Sequence, residues 1–447
     1  MAGRTPEDPV DEPRSPRSFA VDAAVWLVAA AVFTWSASAS WDTLVDDAYI
    51  SARYAEHLAD GLGVVYSAGE PAVEGISNPA WTFLLAAGRV LGVPMYTLLT
   101  GLGWLFGLAA LAFATGLTRA LAPPQADRWT LYLPTLALAL SPHLAVASTN
   151  GLESSMMVAM VLGASWAHLT TEGRARWGAA ALAAVLVWTR PEGIAAAGLL
   201  LVHDLWRHRH AWREARPMIA GVAGAWVLQT LWRLLTYGAL LPNTFAAKSH
   251  FALTETFTVN QVYLWPERHT LGALAVVVLA GLVTPPFSLR RTTLGLMALG
   301  LGAIPLSVNL WMPGLRLFLP AMGLALCVLA AGLATAPRIP ARGLAVVLVA
   351  AMAWLHVGQG ERIRNYDWRH SVQPGNGTEI AAKHLAAHAP EGAWLATRDA
   401  GTFAYYVGTG VKVAELHQRA LTLPHPDGGP ADVLGYAPPD PEFFVGT

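Results

Sequence analysis

Charge is scarce in this sequence. Only 13% of its 447 residues are Asp, Glu, Lys or Arg, 54% are apolar, and the mean hydropathy is +0.41. Soluble domains carry about a quarter charged residues, so a water-soluble globular protein is excluded. Cationic tracts are missing as well: 29 Lys+Arg stand against 30 Asp+Glu, for a net charge of −1. Binding to a nucleic-acid backbone needs clustered cations, and nucleic acid is therefore excluded as a partner. The lone cysteine, Cys327, lies in an apolar run and has no intrachain disulfide partner. No Cys/His spacing suits zinc, and no HExxH, P-loop, Ser-His-Asp order or complete dinucleotide fingerprint occurs. Solenoid and inverted-transporter repeats are also absent.

What is present is a series of apolar runs of roughly 17–24 residues, the length a helix needs to cross about 30 Å of hydrocarbon. After a polar tail over residues 1–20, spans are expected at Val21–Ser40, Met95–Thr118, Trp129–Ala147, Ser154–Thr170, Trp177–Thr189, Gly193–Trp206, Pro217–Tyr237, Arg268–Pro285, Thr292–Asn309, Arg316–Thr335 and Arg342–Val357. That makes about eleven crossings, the two short ones at 177–206 forming either full spans or a re-entrant hairpin. With the N-terminus inside, the loops bearing Arg119, Arg128, Arg174, Arg176, Arg207, Arg216, Arg290, Arg291, Arg338 and Arg342 all fall on the cytoplasmic side, as the positive-inside rule requires. The same parity requires that Pro79–Val93 lie against the outer surface without crossing. The fold class expected is an all-α polytopic membrane protein: a transmembrane unit over 21–357 with an outer loop at 41–94, then a small outer α/β domain over 358–447. In that last part Thr378–His388 and Thr402–Tyr406 read as helical, Ala393–Thr397 and Val411–Ala414 as strands, and Pro424–Thr447 as extended.

The polar segments left over all face outward: 41–78, 148–153, 190–192, 238–266 and 309–315. The first holds Asp46-Asp47-Ala48-Tyr49-Ile50-Ser51-Ala52-Arg53-Tyr54, in which Asp46 can cap an amphipathic interfacial helix carrying Asp46, Ile50, Arg53 and His57 on one face. An aspartate held there can take the proton of an alcohol acting as nucleophile, or serve only as a favourable first-turn charge. Glu74 and Asn78 follow in the same loop, Asn150 and Glu153 in Thr149–Ser154, Glu192 in Trp188–Gly193, Asn243 in Leu241–Ser249, and Asn309 and Trp311 in Asn309–Pro320. Glu153 can also cap the next helix, and Trp188 and Trp311 can be interfacial belt residues. Cations are disfavoured on the outer side, so Arg53, Arg190, Lys248 and Arg316 stand out. Each can pair a phosphate or snorkel to lipid headgroups.

At these residues a family resemblance appears. The stretch from Asp46 through Asn78-Pro79-Ala80-Trp81 resembles the first-loop signature of GT-C class membrane glycosyltransferases. The later segments TNGLES, TRPEG, LPNTFAAKS and WMPGLRLFLP resemble, in order, motifs of the AftB-type arabinofuranosyltransferases, from about Val21 to about Ala414. The resemblance implies a cell-envelope biogenesis enzyme of the bacterial cytoplasmic membrane with its active site facing outward. Its donor would be a polyprenyl-phosphate sugar, with arabinofuranose the sugar of that family, and its acceptor a glycan or lipid. It places the base on Asp46 or Asp47 and the donor phosphate near Lys248, Arg190 and Arg316; of the two aspartates Asp46 is favoured, with Asp47 as helper, and Arg53 joins the phosphate contacts as an outer cation. Glu74, Asn78, Asn150, Glu153, Glu192, Asn243, Asn309 and Trp311 become substrate contacts. Where relatives have Gly-Gly-Asp, this chain has Ser307-Val308-Asn309. That carboxylate is missing, and neither a metal nor another cofactor is expected. A lipid-linked sugar flippase and a non-catalytic glycan-binding membrane protein are the alternatives. The flippase would place ionisable residues at mid-span and show a repeat, whereas these charges gather at span ends.

Overall fold

The computed structural model describes residues 16–240 except 124, then 267–283, 288–307, 315–335, 375–397 and 401–415, with a few isolated positions between them. Lys248, Asn243, Asn309, Trp311, most of the tail at 1–20 and the segment 424–447 lie outside the described residues.

Helices dominate, with ends set by local chemistry. α1 (Pro16–Ser38) leads to a two-residue strand β1 (Leu44–Val45), α2 (Asp46–Ala59), α3 (Pro79–Val90) and α4 (Met95–Leu121). α3 opens on Pro79 at its first turn, where proline's missing N–H costs nothing. Its 12 residues span about 18 Å, too short for a hydrocarbon core. The run expected as one span at 129–147 is broken into α5 (Arg128–Leu131), α6 (Leu133–Ala139) and α7 (Pro142–Ala147). Pro134 and Pro142 open the second and third pieces, and Ser141 caps the third by accepting the Leu144 amide.

α8 (Ser154–Thr170), α9 (Arg176–Thr189), α10 (Pro191–Arg207) and α11 (Arg216–Tyr237) follow, then α12 (Arg268–Val283), α13 (Leu289–Ala303) and α14 (Leu319–Leu333). Arg190 sits between α9 and α10 with extended backbone (φ −161°, ψ 160°), the conformation favoured before a proline. α14 is buried along its whole length against α4, α6, α8, α12 and α13 and forms the centre of the bundle. Opposite the outer loops, Arg176 at the start of α9 donates twice to the fully buried Asp204 of α10, at 2.7 and 2.8 Å, closing that end of the α9–α10 pair. Among the described residues, three helices are long and apolar enough to cross a membrane: Ala20–Ser38, Met95–Leu121 and Trp212–Tyr237. The protein is a multi-pass helical membrane protein.

Beyond the bundle, α15 (Gly377–His388), β3 (Trp394–Thr397), α16 (Thr402–Val407) and β4 (Lys412–Glu415) form a unit in which β3 and β4 pair in parallel. A further strand β2 (Ser371–Val372) pairs antiparallel with β1. The unit packs on α2, so that α2 is enclosed between it and the bundle, with Ala48, Tyr49, Ser51, Ala52, Arg53, Tyr54, Ala55 and His57 buried. The expectation of an amphipathic helix resting on a membrane surface is corrected: both of its faces are used for packing.

Arg53 shows why. It is 2% exposed, and its guanidinium donates to the carbonyl oxygens of Tyr66 (2.5 Å), Ala404, Gly408 (3.2 Å) and Val411 (3.4 Å) while lying 5.2 Å from the Tyr66 ring. Four of its five N–H donors are taken by backbone of the loop after α2 and of the C-terminal unit, so the side chain expected as a phosphate contact acts in this structure as a clamp. Hydrogen bonds to a charged group contribute about 1.5–3 kcal/mol each. Arg53→Met is therefore expected to lower the melting temperature in detergent by several degrees and to open the 371–415 region to limited proteolysis. An unchanged cleavage pattern would contradict the clamp.

Candidate active site

The site begins at a turn. Gly151 has φ +85°, and a Cβ there would sit 2.6 Å from Ala48 Cβ and 2.9 Å from Leu44 Cδ2, so only glycine lets this turn press against the start of α2. Asn150 supports it: its carbonyl accepts the Val45 amide at 3.1 Å and its Oδ1 accepts the Leu152 amide at 3.2 Å. Asn150 was expected to contact substrate. In this structure the residue is 5% exposed and both of its oxygens build the turn.

The turn delivers Glu153. This carboxylate occupies the N-cap position of α8, but its side chain makes no cap hydrogen bond. It accepts from Asn78 Nδ2, beside the start of α3, and from Arg190 Nη1. Asn78 is also joined to Ser51 of α2 at 3.1 Å. Arg190 Nε reaches Glu192 Oε1 at 3.0 Å. One buried network thus links α2, α3, α8 and the α9–α10 joint. Burial pushes the Glu153 carboxyl up, but the charges of Arg190 and Arg316 and the Asn78 hydrogen bond outweigh it and hold the group below its ordinary value. Burial likewise opposes the Arg190 charge, and Glu192 and Glu153 outweigh it and raise that group.

Arg316 is the next element. It follows Leu315, whose φ of +53° is a strained, left-handed conformation for a side-chain-bearing residue. Arg316 Nη2 lies 3.7 Å from Asp47 Oδ2, a loose contact, and the Asp47 side chain is 50% exposed. Its neighbour is different. Asp46 accepts the Thr402 amide at 2.7 Å and the Gly401 amide at 3.0 Å. Burial raises the pKa of the Asp46 carboxyl, and these amides offset that only in part. The N-cap position of α2 is Val45, so Asp46 does not cap its own helix; it binds the start of α16.

Arg190, Glu192 and Arg316 line a small cleft with Ser154, Met157, Leu301, Leu317 and Pro320. Four of these eight residues are polar and four are apolar. Ser154 Oγ is buried without a hydrogen-bond partner. Glu74, expected as a substrate contact, is not among the cleft's lining residues; it forms a buried pair with Arg233 of α11 (2.9 and 3.0 Å) that ties the loop after α2 to the bundle. Trp188 packs on Phe83 and Trp232 and donates to the Ala225 carbonyl at 3.0 Å. Ser51, Ser154, Arg233, Gly401 and Thr402 were not singled out from the sequence. Arg233, a cation inside an apolar run, is the one that carried a signal.

Among the described residues no group of His, Cys, Asp and Glu is arranged to hold a metal ion. Removing one partner of a buried ion pair strands the other charge at a cost of about 3–5 kcal/mol. Arg190 keeps Glu192 when Glu153 is removed, so Glu153→Ala is expected to lower the melting temperature in detergent by less than that full cost, and Glu153→Gln, which keeps an acceptor for Arg190, to be milder still. Because the folded carboxyl titrates below its ordinary 4.5, the stabilisation is present above that pH and lost as pH falls through the folded value. Acid melting curves should show that loss in the wild type and not in Glu153→Gln.

No family model matches the sequence. Over 265 residues the chain is 33% identical to the terminal β-(1→2)-arabinofuranosyltransferase of Mycobacterium tuberculosis, a match covering 55% of this chain and 41% of that protein. The chain thus spans less than half the length of that relative. Among solved structures it resembles ArnT from Cupriavidus metallidurans bound to undecaprenyl phosphate, with a TM-score of 0.56, 14% identity, and coverage of 89% of this chain and 86% of that one. It also resembles the oligosaccharyltransferase of Archaeoglobus fulgidus (TM-score 0.59, 14% identity, 88% and 62% covered). The mycobacterial arabinofuranosyltransferase AftD is similar too (TM-score 0.55, 20% identity, 91% and 32% covered). The chain has the fold of GT-C glycosyltransferases, and its resemblance to arabinofuranosyltransferases extends to sequence.

Proposed function

We propose that this chain is a glycosyltransferase that moves a sugar from a polyprenyl-phosphate donor to a cell-envelope glycan or lipid on the outer face of the cytoplasmic membrane. One observation carries the reading. Asp47, a half-exposed carboxylate, stands beside Arg316, and Arg316 lines a cleft that is polar on one part and hydrocarbon on the other. That combination suits an amphiphile with an anionic head and an isoprenoid chain next to a base. Similarity to an arabinofuranosyltransferase supports arabinofuranose as the sugar.

In this reading Asp47, and not Asp46, is the base. Asp46 has both oxygens engaged by amides, whereas Asp47 is open to an incoming hydroxyl. Asp47 takes the acceptor proton, the acceptor oxygen attacks the anomeric carbon, and the bond from that carbon to the phosphate oxygen breaks, its electron pair leaving with the lipid phosphate. Among the described residues at the cleft, Arg316 is the cation placed to meet that charge, since Arg190 is already held by Glu153 and Glu192. Drawing Arg316 toward a phosphate also releases its loose hold on Asp47. Lys248 is proposed as a second phosphate contact, and the eleven crossings with a cytoplasmic N-terminus as the topology that puts the cleft outside.

Asp47→Asn should cut transfer from a lipid-phosphate sugar by a factor of about 10²–10⁴ while leaving donor binding intact. Arg316→Ala should weaken donor binding and lower turnover by about two orders of magnitude. Turnover of purified Asp47→Asn equal to wild type would defeat the enzymatic assignment. A cytoplasm-active reporter fused after Gly375 is expected to stay silent, and a strong signal would reverse the topology.

A further inference from the structure

The helix carrying Asp47 is held from outside the bundle. Asp46 is bound by the amides of Gly401 and Thr402, and the approach is so close that a Cβ on Gly401 would lie 1.8 Å from the Asp46 carbonyl oxygen and 2.9 Å from its Cγ. Further along α2, Arg53 grips the carbonyls of Ala404, Gly408 and Val411, and Glu56 accepts the Tyr405 hydroxyl at 2.8 Å. Asp47 itself takes no hydrogen bond from any described residue; its one charged contact is the 3.7 Å approach of Arg316. Its position is therefore inherited from the backbone on either side of it. Adjacent residues of a helix point about 100° apart, so Asp46 can face the C-terminal unit while Asp47 faces the open side.

We infer that Asp46 is a positioning residue: gripped by the Gly401 and Thr402 amides, it lets the C-terminal outer unit set where the Asp47 carboxylate stands, which makes that unit part of the catalytic apparatus. The inference rests on Asp47 being the base. A carboxylate that must stay within hydrogen-bond reach of an acceptor hydroxyl loses about 10²-fold in rate when displaced by about 1 Å, without any change in how the donor is held.

The test uses the full-length protein in detergent or lipid, with turnover, donor KM and amide hydrogen exchange at 401–407 measured together. Asp46→Ala should lower kcat by about 10- to 100-fold, leave donor KM within about threefold, and speed exchange of the Gly401 and Thr402 amides. Asp46→Asn keeps one acceptor oxygen and should lose less. Gly401→Ala pushes the same contact apart from the other side and should reproduce the kcat loss with KM unchanged. Because both substitutions break one contact, the double variant should be no slower than the slower single variant. Multiplying losses, full turnover in Asp46→Ala, or unchanged exchange would overturn the inference. So would equal inactivity of Asp46→Asn, Asp46→Ala and Asp47→Asn, which would make Asp46 a reacting group. Should Gly401→Ala fail to fold, the graded Asp46→Asn and Asp46→Ala pair still decides. A wild-type protein that transfers no sugar would overturn the glycosyltransferase reading and not the latch, which the exchange rate reads on its own.

Discussion

Glu153 and Arg190 start from points 37 residues apart in the chain and meet where neither can reach bulk water freely. A buried carboxylate and a buried guanidinium are each costly alone, so the helices that carry them have one acceptable arrangement. That constraint fixes the start of α8 against the α9–α10 joint. Through Asn78 and Ser51 it also fixes the outer loop against both. The cleft is a consequence: with Arg190 committed to Glu153 and Glu192, the remaining cation at its wall, Arg316, keeps free donors. An Arg190 without those carboxylates would compete for the same anion and leave the polar wall undefined.

The outer loop is fastened a second time, by the C-terminal unit. Arg53 spends its donors on carbonyls there, Asp46 takes two amides, and Glu74 ties the same loop to Arg233 of α11. Residues that looked like ligand contacts in isolation are thus the fasteners of the loop that presents Asp47. The economy is physical. Outer-side charges in a membrane protein are costly to bury, and a charge is retained where it has a partner that the fold supplies.

How much of this was readable beforehand follows from what each feature depends on. Helix α3 falls at Pro79 because a proline can start a helix, and its failure to cross follows from 12 residues at 1.5 Å each. The convergence of residues from the first loop, TNGLES, TRPEG and PGLRL was legible because charge asymmetry sorts loops to sides of a membrane without reference to contacts. The break of 129–147 into three helices was legible in Pro134 and Pro142, yet a hydropathy reading passes over it, since proline does not lower the average enough to interrupt an apolar run.

Pairing was not legible. Whether Asp46 or Asp47 faces the open side depends on where the backbone of residues 401 and 402 arrives, more than 350 residues later, and no local pattern encodes that. The same holds for Arg53, an outer cation by sequence and a clamp by structure, and for Glu74, whose partner sits in an apolar run. Sequence alone determined the class of molecule and the residue types available for acid, base and phosphate chemistry, because hydropathy, helix periodicity and charge act locally. Tertiary structure decided which of those groups stay free, because a hydrogen-bonding group is free only when no other part of the chain has reached it first.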